Sequence, residues 1–370
     1  MKILHIISSS GLYGAEAVIL NLLRTLRDGP DEAAIGAFSN STNPNVQLHE
    51  AALKQGFASH LIPCNGQVDR ATIAGIRELV KRTGADVVHA HGYKADIYAY
   101  LALRGRGVPL VSTCHTWYDT DRMVSLYGKI DRLVLRGYAR VVAVSEEVRQ
   151  RLRGAGVRED RIRMIRNGID LRPFDRPRQA ADEGRKLVVG LVGRLAWEKG
   201  VDIFLAAAAR VVVEMPEARF VVVGEGPDRE KLERQIDELR LRDSVSMLGR
   251  RDDMPAVYAS LDVMVSSSRQ EGLPIAILEG MASSLPLVAT PVGEVPTVVL
   301  DDRTGVLAPA EDVERLAAAI VALLRDPARR ARLGAAARKL IEGEYSAQRM
   351  TAEYRSVYAE AIAAARGAAQ

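Results

Sequence analysis

The stretch DVMVSSSRQEGLPIAILEGMASSLPLVAT, residues 262–290, decides the fold. Two short apolar runs, DVMVSS and LPLVAT, have the length and the flanking turn residues of buried strands, and the longer apolar segment between them suits a helix. Pro274 fits the first turn of that helix, where a missing N–H group is harmless. A strand, a helix and another strand in this order predict a βαβ unit with parallel strands.

The same alternation of strands and helices continues along the chain. In the first half the predicted strands are KILHII, AAIGAF, ASHLIP, DVVHAH, PLVSTC, ARVVAV and RIRMI. In the second half they are KLVVGLVG, ARFVVVGEG, VSMLG, DVMVSS and LPLVAT, with TGVLAP as an edge strand. This pattern predicts the α/β fold class, with two doubly wound domains in tandem. Ligands bind at the carboxyl ends of such strands, so if these ends face each other the active site is the cleft between the domains.

The length and one irregular segment set the domain organisation. A chain of 370 residues exceeds one core of ordinary size. The segment DLRPFDRPRQAADEGRK, residues 170–186, is rich in proline, arginine and acids and has no periodicity, so we interpret it as a linker. The sequence predicts a first domain over residues 1–170, a second over residues 171–345 and a closing helix over residues 346–370.

Composition excludes several classes of protein. The formal net charge of +4 is too small to indicate nucleic-acid binding by itself. Cys64 and Cys114 cannot build a disulfide framework and fit a reducing compartment. The opening run MKILHII resembles a first strand rather than a signal peptide, and no apolar run approaches the roughly 18 residues of a membrane span. We therefore expect a cytoplasmic protein.

The loop after the strand KLVVGLVG combines two cations with two glycines. Arg194 can bind a diphosphate as a fork and Lys199 as a point charge, and Gly193 and Gly200 flank them. The alternative is an ordinary exposed surface loop, although the position at the end of a strand favours a ligand role.

The quoted stretch also carries two glutamates in an E-x7-E arrangement. The backbone N–H groups around Gly272, Leu273 and Ile275 lie at a helix N-terminus, which binds anions. Glu271 borders this anion site, and Glu279 points back toward it from within the helix. A carboxylate there suits the diol of a ribose. The two carboxylates could instead be an acid–base pair like that of glycosidases, but the anion site favours recognition of a phosphate-bearing sugar.

Three histidines lie within or just after predicted strands of the first half. His89 and His91 point to one face of a strand and could bind a metal, but no third ligand is evident nearby, which favours packed or hydrogen-bonded histidines. His115 lies just past a buried strand and should project into the crevice, where it could donate a hydrogen bond to a substrate hydroxyl. The alternative interpretation of His115 is a core histidine whose hydrogen-bonding groups all have partners within the protein.

Other features of the first half are less specific. Gly11 and Gly14 lie in a strand–helix turn that could approach a ligand. The pair Asp119 and Asp121 matches a metal–diphosphate signature but follows no nucleotide-binding unit, so we interpret it as a solvated loop. Residues 122–140 are interpreted as a basic amphipathic helix, either solvated or lying on an anionic membrane surface. The basic residues of this helix are Lys129, Arg132, Arg136 and Arg140, and its apolar face holds Met123, Leu126, Ile130 and Leu133.

These motifs together resemble glycosyltransferase family 4 (group 1), whose members have the GT-B architecture. The resemblance rests on GRLAWEKG, VVGEGPDREKLE, the run from LGRRDDMP to GEVPTVV that contains the quoted stretch, and TGVLAP. It also includes GLYGAEAVIL, the histidine of STCHTW and the boundary VSEEVRQRL/IRNGID, so it covers essentially the whole chain.

The resemblance implies a role for each matching residue. Arg194 and Lys199, after Gly193, would hold the diphosphate and stabilise the leaving nucleotide, and His115 would contact the donor sugar. Glu271 would bind sugar hydroxyls and Glu279 the ribose. Further donor-binding residues would be Gly14 beside the diphosphate or the acceptor, Leu248, Gly249 and Arg250 beside the base, and Gly272, Leu273, Pro274 and Ile275 around the phosphate.

The resemblance also implies the reaction. Family members transfer a sugar from a nucleotide diphosphate sugar to a hydroxyl acceptor with retention of configuration, and they need no metal and no other cofactor. We expect a hexose or N-acetylhexosamine donor, with UDP favoured over GDP, and an acceptor that is lipid-linked or part of a polysaccharide or glycolipid at the inner face of the cell membrane. The closing helix would pack on the first domain. One departure is Glu294, where relatives commonly carry a second glycine after T-P-V.

Two other functions compete with this one. A nucleotide-sugar epimerase of the same architecture would need an acid–base set for proton abstraction, which E-x7-E does not obviously supply. A non-catalytic two-domain binding protein predicts a secretion signal and no paired cations, and neither expectation matches the sequence.

Overall fold

The computed structural model describes residues 1–9, 11, 14–41, 44, 46–65, 69–115, 122–175 and 185–367, without the side chains of 122–126. The chain forms two compact units. Unit 1 consists of Met1–Gly168 and Ala347–Gln370, and unit 2 consists of Ile169–Ser346.

Unit 1 is built on a parallel sheet of seven strands. The strands are β1 Lys2–Ile7, β2 Glu32–Ser39, β3 Ala58–Pro63, β4 Val87–His91, β5 Leu110–Cys114, β6 Arg140–Ala143 and β7 Ile162–Met164, in the spatial order β3-β2-β1-β4-β5-β6-β7. Its first six helices are α1 Gly14–Arg27, α2 Gln47–Lys54, α3 Arg70–Thr83, α4 Tyr93–Leu103, α5 Arg122–Leu135 and α6 Glu146–Gly154. Every residue of β4 and β5 is buried, as expected where helices cover both faces of a parallel sheet.

Unit 2 repeats this plan with six strands. They are β8 Val188–Val192, β9 Arg219–Val223, β10 Val245–Gly249, β11 Val263–Ser266, β12 Leu287–Ala289 and β13 Val306–Leu307, in the parallel order β10-β9-β8-β11-β12-β13. Its helices are α7 Val201–Glu214, α8 Arg229–Glu238, α9 Met254–Ser260, α10 Ile275–Ala282, α11 Val295–Val298, α12 Val313–Arg325 and α13 Pro327–Glu344. The predicted strands and the edge position of TGVLAP are confirmed.

The last helix, α14 Ala347–Gly367, packs on unit 1. Its side chains Tyr354 and Tyr358 are buried against the sheet, and their hydroxyls lie 2.9 Å from Thr113 Oγ1 and 2.8 Å from His89 Nδ1, respectively. Since the tail supplies buried hydrogen-bond partners to β4 and β5, it is part of the core of unit 1, as the resemblance implied. None of the described helices has both the length and the apolar character needed to cross a membrane.

The start of the expected linker is packed rather than free. Phe174 is buried in the core of unit 2, with its ring 6.0 Å from that of Tyr258. Asp170 accepts hydrogen bonds from the guanidinium of Arg172 at 2.9 Å. A buried aromatic ring contributes a large apolar area, which outweighs the polar composition that suggested a linker. Residues 176–184 lie outside the described part of the chain.

Candidate functional site

The strand order of unit 2 places the candidate site. The chain runs from β8 outward to β9 and β10 on one side, and then returns to β11, β12 and β13 on the other side of β8. Doubly wound sheets bind ligands at this reversal, outside the carboxyl ends of the strands. The loop with Arg194 and Lys199 follows β8, and the stretch with Glu271 follows the neighbouring β11. The two motifs identified in the sequence therefore meet at the carboxyl ends of two adjacent central strands.

The structure joins Lys199 directly to Glu271. The Lys199 ammonium forms an ion pair with Glu271 Oε1, and Ser268 Oγ donates a hydrogen bond of 2.8 Å to the same oxygen. The Glu271 side chain is only 9% exposed, so its carboxylate is held in one position beside a compensating charge. An ammonium has three N–H donors, of which this pair uses one. The sequence assigned the two residues to separate ligand groups and did not foresee that they contact each other.

Arg194 is held much more loosely. One of its guanidinium nitrogens lies 3.9 Å from Glu198 Oε1, and half of the side chain is exposed. Exposed pairs of this kind contribute little to stability, so the guanidinium fork can turn toward an anionic ligand at small cost.

Two glycines fix the loops that carry these groups. Gly200 has φ +60°, and a Cβ atom added to it would lie 2.0 Å from the carbonyl oxygen of Ser267. Gly293 has φ +53°, and its added Cβ would lie 1.9 Å from the carbonyl oxygen of Glu271. Only glycine combines this backbone conformation with such a close approach. The Lys199 loop and the Glu271 loop are thus each held against a neighbouring backbone.

Arg269 is a residue of the site that sequence reasoning missed. Its guanidinium forms a fork to both carboxylate oxygens of Asp202 at 2.8 Å and donates to Glu311 Oε1 at 2.6 Å. It also donates to the carbonyl of Trp197 at 2.9 Å and lies 5.3 Å from the centre of the Trp197 ring. The arginine therefore ties the β11–α10 loop to the β8–α7 loop. Its partners lie far away in sequence, and no local motif indicates the contact.

The N-terminus of α10 has the geometry of an anion site. Pro274 is the residue before the helix, not its first residue, and its own side chain makes no capping hydrogen bond. Leu273 and Ile275 are half-buried. The carbonyl of Gly272 accepts a hydrogen bond of 3.1 Å from the N–H of Glu294. The first N–H groups of a helix have no partner within the helix and favour a phosphate.

Glu279 has a partner that the sequence did not reveal. Its Oε2 accepts a hydrogen bond of 2.8 Å from the hydroxyl of Tyr258, which is fully buried. Burial and the Glu279 carboxylate raise the pKa of Tyr258 well above its usual value, so this hydroxyl remains a donor. Glu271 and Glu279 thus have different hydrogen-bond donors, which fits two separate binding roles better than a shared acid–base role.

The residues expected to border the base lie at the end of β10. The carbonyl of Gly249 accepts a hydrogen bond of 2.9 Å from Gly224, which follows β9. Leu248 is 40% exposed, and the guanidinium of Arg250 lies on the surface 3.7 Å from Asp252. An exposed leucine on the site's edge of the sheet offers apolar contact to a planar ring.

In unit 1 the corresponding reversal of strand order lies between β1 and β4, and histidines occupy it. His5, His89 and His91 place one nitrogen each within 4.8 Å of one another. His5 is thus a third nearby nitrogen ligand, which the sequence did not reveal. However, Nδ1 and Nε2 of His89 already lie 2.8 Å from Tyr358 and 2.7 Å from Thr113, which supports hydrogen-bonded core histidines over a metal site.

His115 directly follows β5, and its Nε2 lies 3.4 Å from His91 Nδ1. Desolvation lowers the pKa of His5 to about 3 and that of His115 to about 4, and the pKa values of His89 and His91 are also well below the usual value. All four imidazoles are therefore neutral at pH 7.

Gly14 begins α1, and a Cβ atom added to it would meet no atom of the described residues within 4 Å. Nearby, Ser9 Oγ donates a hydrogen bond of 2.9 Å to Glu16. Residues 10, 12 and 13 of the same turn lie outside the described part of the chain.

The basic helix is shorter than predicted. Helix α5 ends at Leu135, and Arg140 instead begins β6 and pairs with Glu360 at 2.9 Å. The basic residues thus recur at three- and four-residue spacing beyond the end of the helix. Within α5, Ile130 is 39% and Leu133 is 64% exposed. Asp119, Asp121 and the side chains of Met123 and Leu126 lie outside the described residues.

The chain matches known protein families over most of its length. Residues 172–340 match the family model for glycosyl transferases group 1, and residues 13–172 match that for glycosyltransferase family 4. The chain is 30% identical over 311 residues to the alpha-D-kanosaminyltransferase of Streptomyces kanamyceticus, covering 77% of this chain and 80% of that protein. The chain belongs to the group 1 glycosyltransferases of family 4.

Further matches of this glycosyltransferase extend over most of its length. It is 25% identical over 345 residues to the UDP-Gal:alpha-D-GlcNAc-diphosphoundecaprenol alpha-1,3-galactosyltransferase of Escherichia coli, which covers 88% of both chains. The crystal structure of Anabaena HepE in complex with UDP-glucose superposes with a TM-score of 0.82 at 21% identity, covering 98% of this chain and all of that one. The α/β fold class and the GT-B architecture are confirmed, and the enzyme transfers sugars from nucleotide sugars to acceptors.

Proposed function

We propose that this glycosyltransferase moves a hexose or N-acetylhexosamine from a UDP-sugar to an acceptor hydroxyl with retention of configuration. The observation that carries the proposal is the meeting of Lys199, Glu271 and the N-terminus of α10 at the strand-order reversal of unit 2. A cation and helix N–H groups suit a diphosphate, and a fixed carboxylate beside them suits sugar hydroxyls. UDP is favoured because the Escherichia coli relative is named for UDP-Gal and the HepE structure holds UDP-glucose.

The bond that breaks joins the anomeric carbon of the sugar to an oxygen of the β-phosphate, and the bonding electrons stay on that oxygen. Negative charge therefore develops on the leaving diphosphate. Arg194, the two remaining N–H donors of Lys199 and the backbone N–H groups of Leu273 and Ile275 would stabilise that charge. These positive groups would make a divalent metal unnecessary. The acceptor oxygen forms the new bond on the face that the diphosphate leaves, and the proton of the acceptor hydroxyl passes to the departing diphosphate oxygen.

The carboxylates would select the rest of the donor. Glu271, held by Lys199 and Ser268, would accept hydrogen bonds from sugar hydroxyls. Glu279, oriented by Tyr258, would accept from the ribose diol. Glu294 donates its backbone N–H to the carbonyl next to Glu271, so its carboxylate would bias the choice of sugar. In unit 1, His115 would donate a hydrogen bond to a sugar hydroxyl, and the space beside Gly14 would admit a ligand.

A donor panel tests this proposal. We expect nucleotide release from at least one UDP-sugar, at a rate that EDTA leaves unchanged, and weaker release from GDP-sugars. Each donor is incubated with and without EDTA, and free nucleotide and the recovered sugar are quantified. Strict dependence on added metal would contradict the metal-free mechanism. Conversion of the donor into its epimer without transfer would contradict the transferase mechanism itself.

The acceptor is proposed to be lipid-linked and presented at an anionic membrane surface. One relative is named for a diphosphoundecaprenol acceptor. Helix α5 exposes Ile130 and Leu133 beside Lys129, a combination of apolar and basic groups that suits a membrane surface.

Vesicle binding tests the role of α5. The glycosyltransferase should co-sediment with vesicles that contain phosphatidylglycerol and less with vesicles of phosphatidylcholine alone. The variant Leu133→Glu should lower the bound fraction severalfold, since it places a charge on the exposed apolar face. Val213→Glu in α7 is the matched control, because Val213 is also exposed but lies in unit 2. Equal binding by the wild type to both kinds of vesicle would contradict the proposal.

A further inference from the structure

Three imidazoles form a hydrogen-bonded chain in unit 1. His5 Nδ1 lies 3.1 Å from His91 Nε2, and His91 Nδ1 lies 3.4 Å from His115 Nε2. His5 is fully buried and His91 is 3% exposed. The histidine chain begins with His5 in the middle of β1, crosses to the adjacent β4 and ends on the residue after β5. It thus connects the interior of the sheet with the carboxyl end at which ligands bind.

The inner end of the chain has an unsatisfied atom. Among the described residues, none bonds to the buried His5 Nε2. A neutral imidazole has one N–H donor and one acceptor nitrogen, so three in a row admit two consistent proton orders. In the first order, each N–H group points toward His5, and His5 Nε2 carries a proton that has no acceptor. In the second, they point outward, and His5 Nε2 is a bare lone pair.

We infer that the protons point outward, so that His115 carries its proton on Nδ1. His5 Nδ1–H then donates to His91, and His91 Nδ1–H donates to His115 Nε2. Among backbone groups, orphaned buried N–H donors are rarer than under-satisfied acceptors, and the same preference applied to the imidazole nitrogens favours this order. The low pKa values of His5, His91 and His115 agree with neutral rings throughout.

This order determines what His115 can offer a substrate. Because its Nε2 accepts from His91, the remaining Nδ1–H is a hydrogen-bond donor, directed by two buried histidines. His5 and His91 are therefore positioning residues for His115. This consequence rests on the role of His115 given under Proposed function, whereas the tautomer itself does not.

His89 is separate from this chain. Its two nitrogens are engaged by Thr113 and by the tail residue Tyr358, although its ring centre lies only 4.0 Å from that of His91. The variant Tyr358→Phe removes the bond to His89 Nδ1 and leaves the three-histidine chain intact. It therefore serves as a control for general disturbance of the histidine cluster.

Nitrogen NMR of the whole enzyme, labelled with ¹⁵N at the histidine rings, tests the inference at pH 7. In the wild type we expect His115 with its proton on Nδ1, and Tyr358→Phe should keep it there. His91→Phe should move the His115 tautomer toward Nε2–H and lower kcat about tenfold with little change in KM for the donor, the effect of a misdirected hydrogen bond.

The wild-type measurement needs no variant, so a folding defect in His91→Phe cannot conceal the answer. A His115 proton on Nε2 in the wild type would overturn the inferred order. A proton on Nδ1 together with unchanged kcat in His91→Phe supports the order and contradicts the substrate role of His115. His5→Phe should shift the tautomer in the same direction as His91→Phe, because it removes the first donor of the chain.

Discussion

Lys199→Met should lower kcat by at least about a hundredfold, while KM for the donor changes much less. The reason is that negative charge develops on the leaving diphosphate only as the glycosidic bond breaks, and removal of one fixed donor to such a charge typically costs about 10²–10³ in rate. An interaction made mainly in the transition state affects kcat rather than ground-state binding. Steady-state kinetics with the donor identified by the panel measure both constants.

A second effect of this substitution has to be separated from the first. Lys199 is the ion-pair partner of the nearly buried Glu271, so its removal leaves a carboxylate without its compensating charge. The double variant Lys199→Met/Glu271→Gln removes that charge as well and should restore stability but not turnover. Lys231→Met is the matched control, since Lys231 is exposed on α8. Wild-type kcat in Lys199→Met would contradict the proposed stabilisation of the leaving group.

Gly200→Ala should destabilise unit 2 by about 3 kcal/mol and lower kcat/KM more than tenfold. The added methyl would lie 2.0 Å from the carbonyl oxygen of Ser267, and φ +60° is unfavourable for alanine. The two loops must therefore separate, which moves Lys199 away from Glu271. Urea unfolding gives the stability change, and donor kinetics give the loss of activity.

Gly343→Ala is the control for this substitution. Gly343 lies within α13, where an added methyl meets no atom within 4 Å and φ is not positive. Alanine there should be neutral or stabilise by up to about 1 kcal/mol, because it reduces the entropy of the unfolded chain. If Gly200→Ala were as stable and as active as Gly343→Ala, the close contact with Ser267 would have no functional importance.

Much of the candidate site follows from local sequence signals. The cations after β8 and the glutamates after β11 could be placed at the ends of strands because apolar runs and turn residues define those ends. The error in helix α5 has the same origin. Basic residues continued at helical spacing as far as Arg140, but the helix ends at Leu135 and Arg140 belongs to a strand. Surface charge does not distinguish a helix from the turn that follows it.

The sequence by itself determined the strands, the alternation of strands and helices in both units and the loops that carry the functional groups, since these depend on patterns within about 30 residues. Only the tertiary structure decided which side chains meet. Examples are Lys199 with Glu271, Arg269 with Asp202, Tyr258 with Glu279, and His5 with His91. Parallel strands that are neighbours in a sheet are distant in sequence, and no local pattern records which buried partner a strand order brings together.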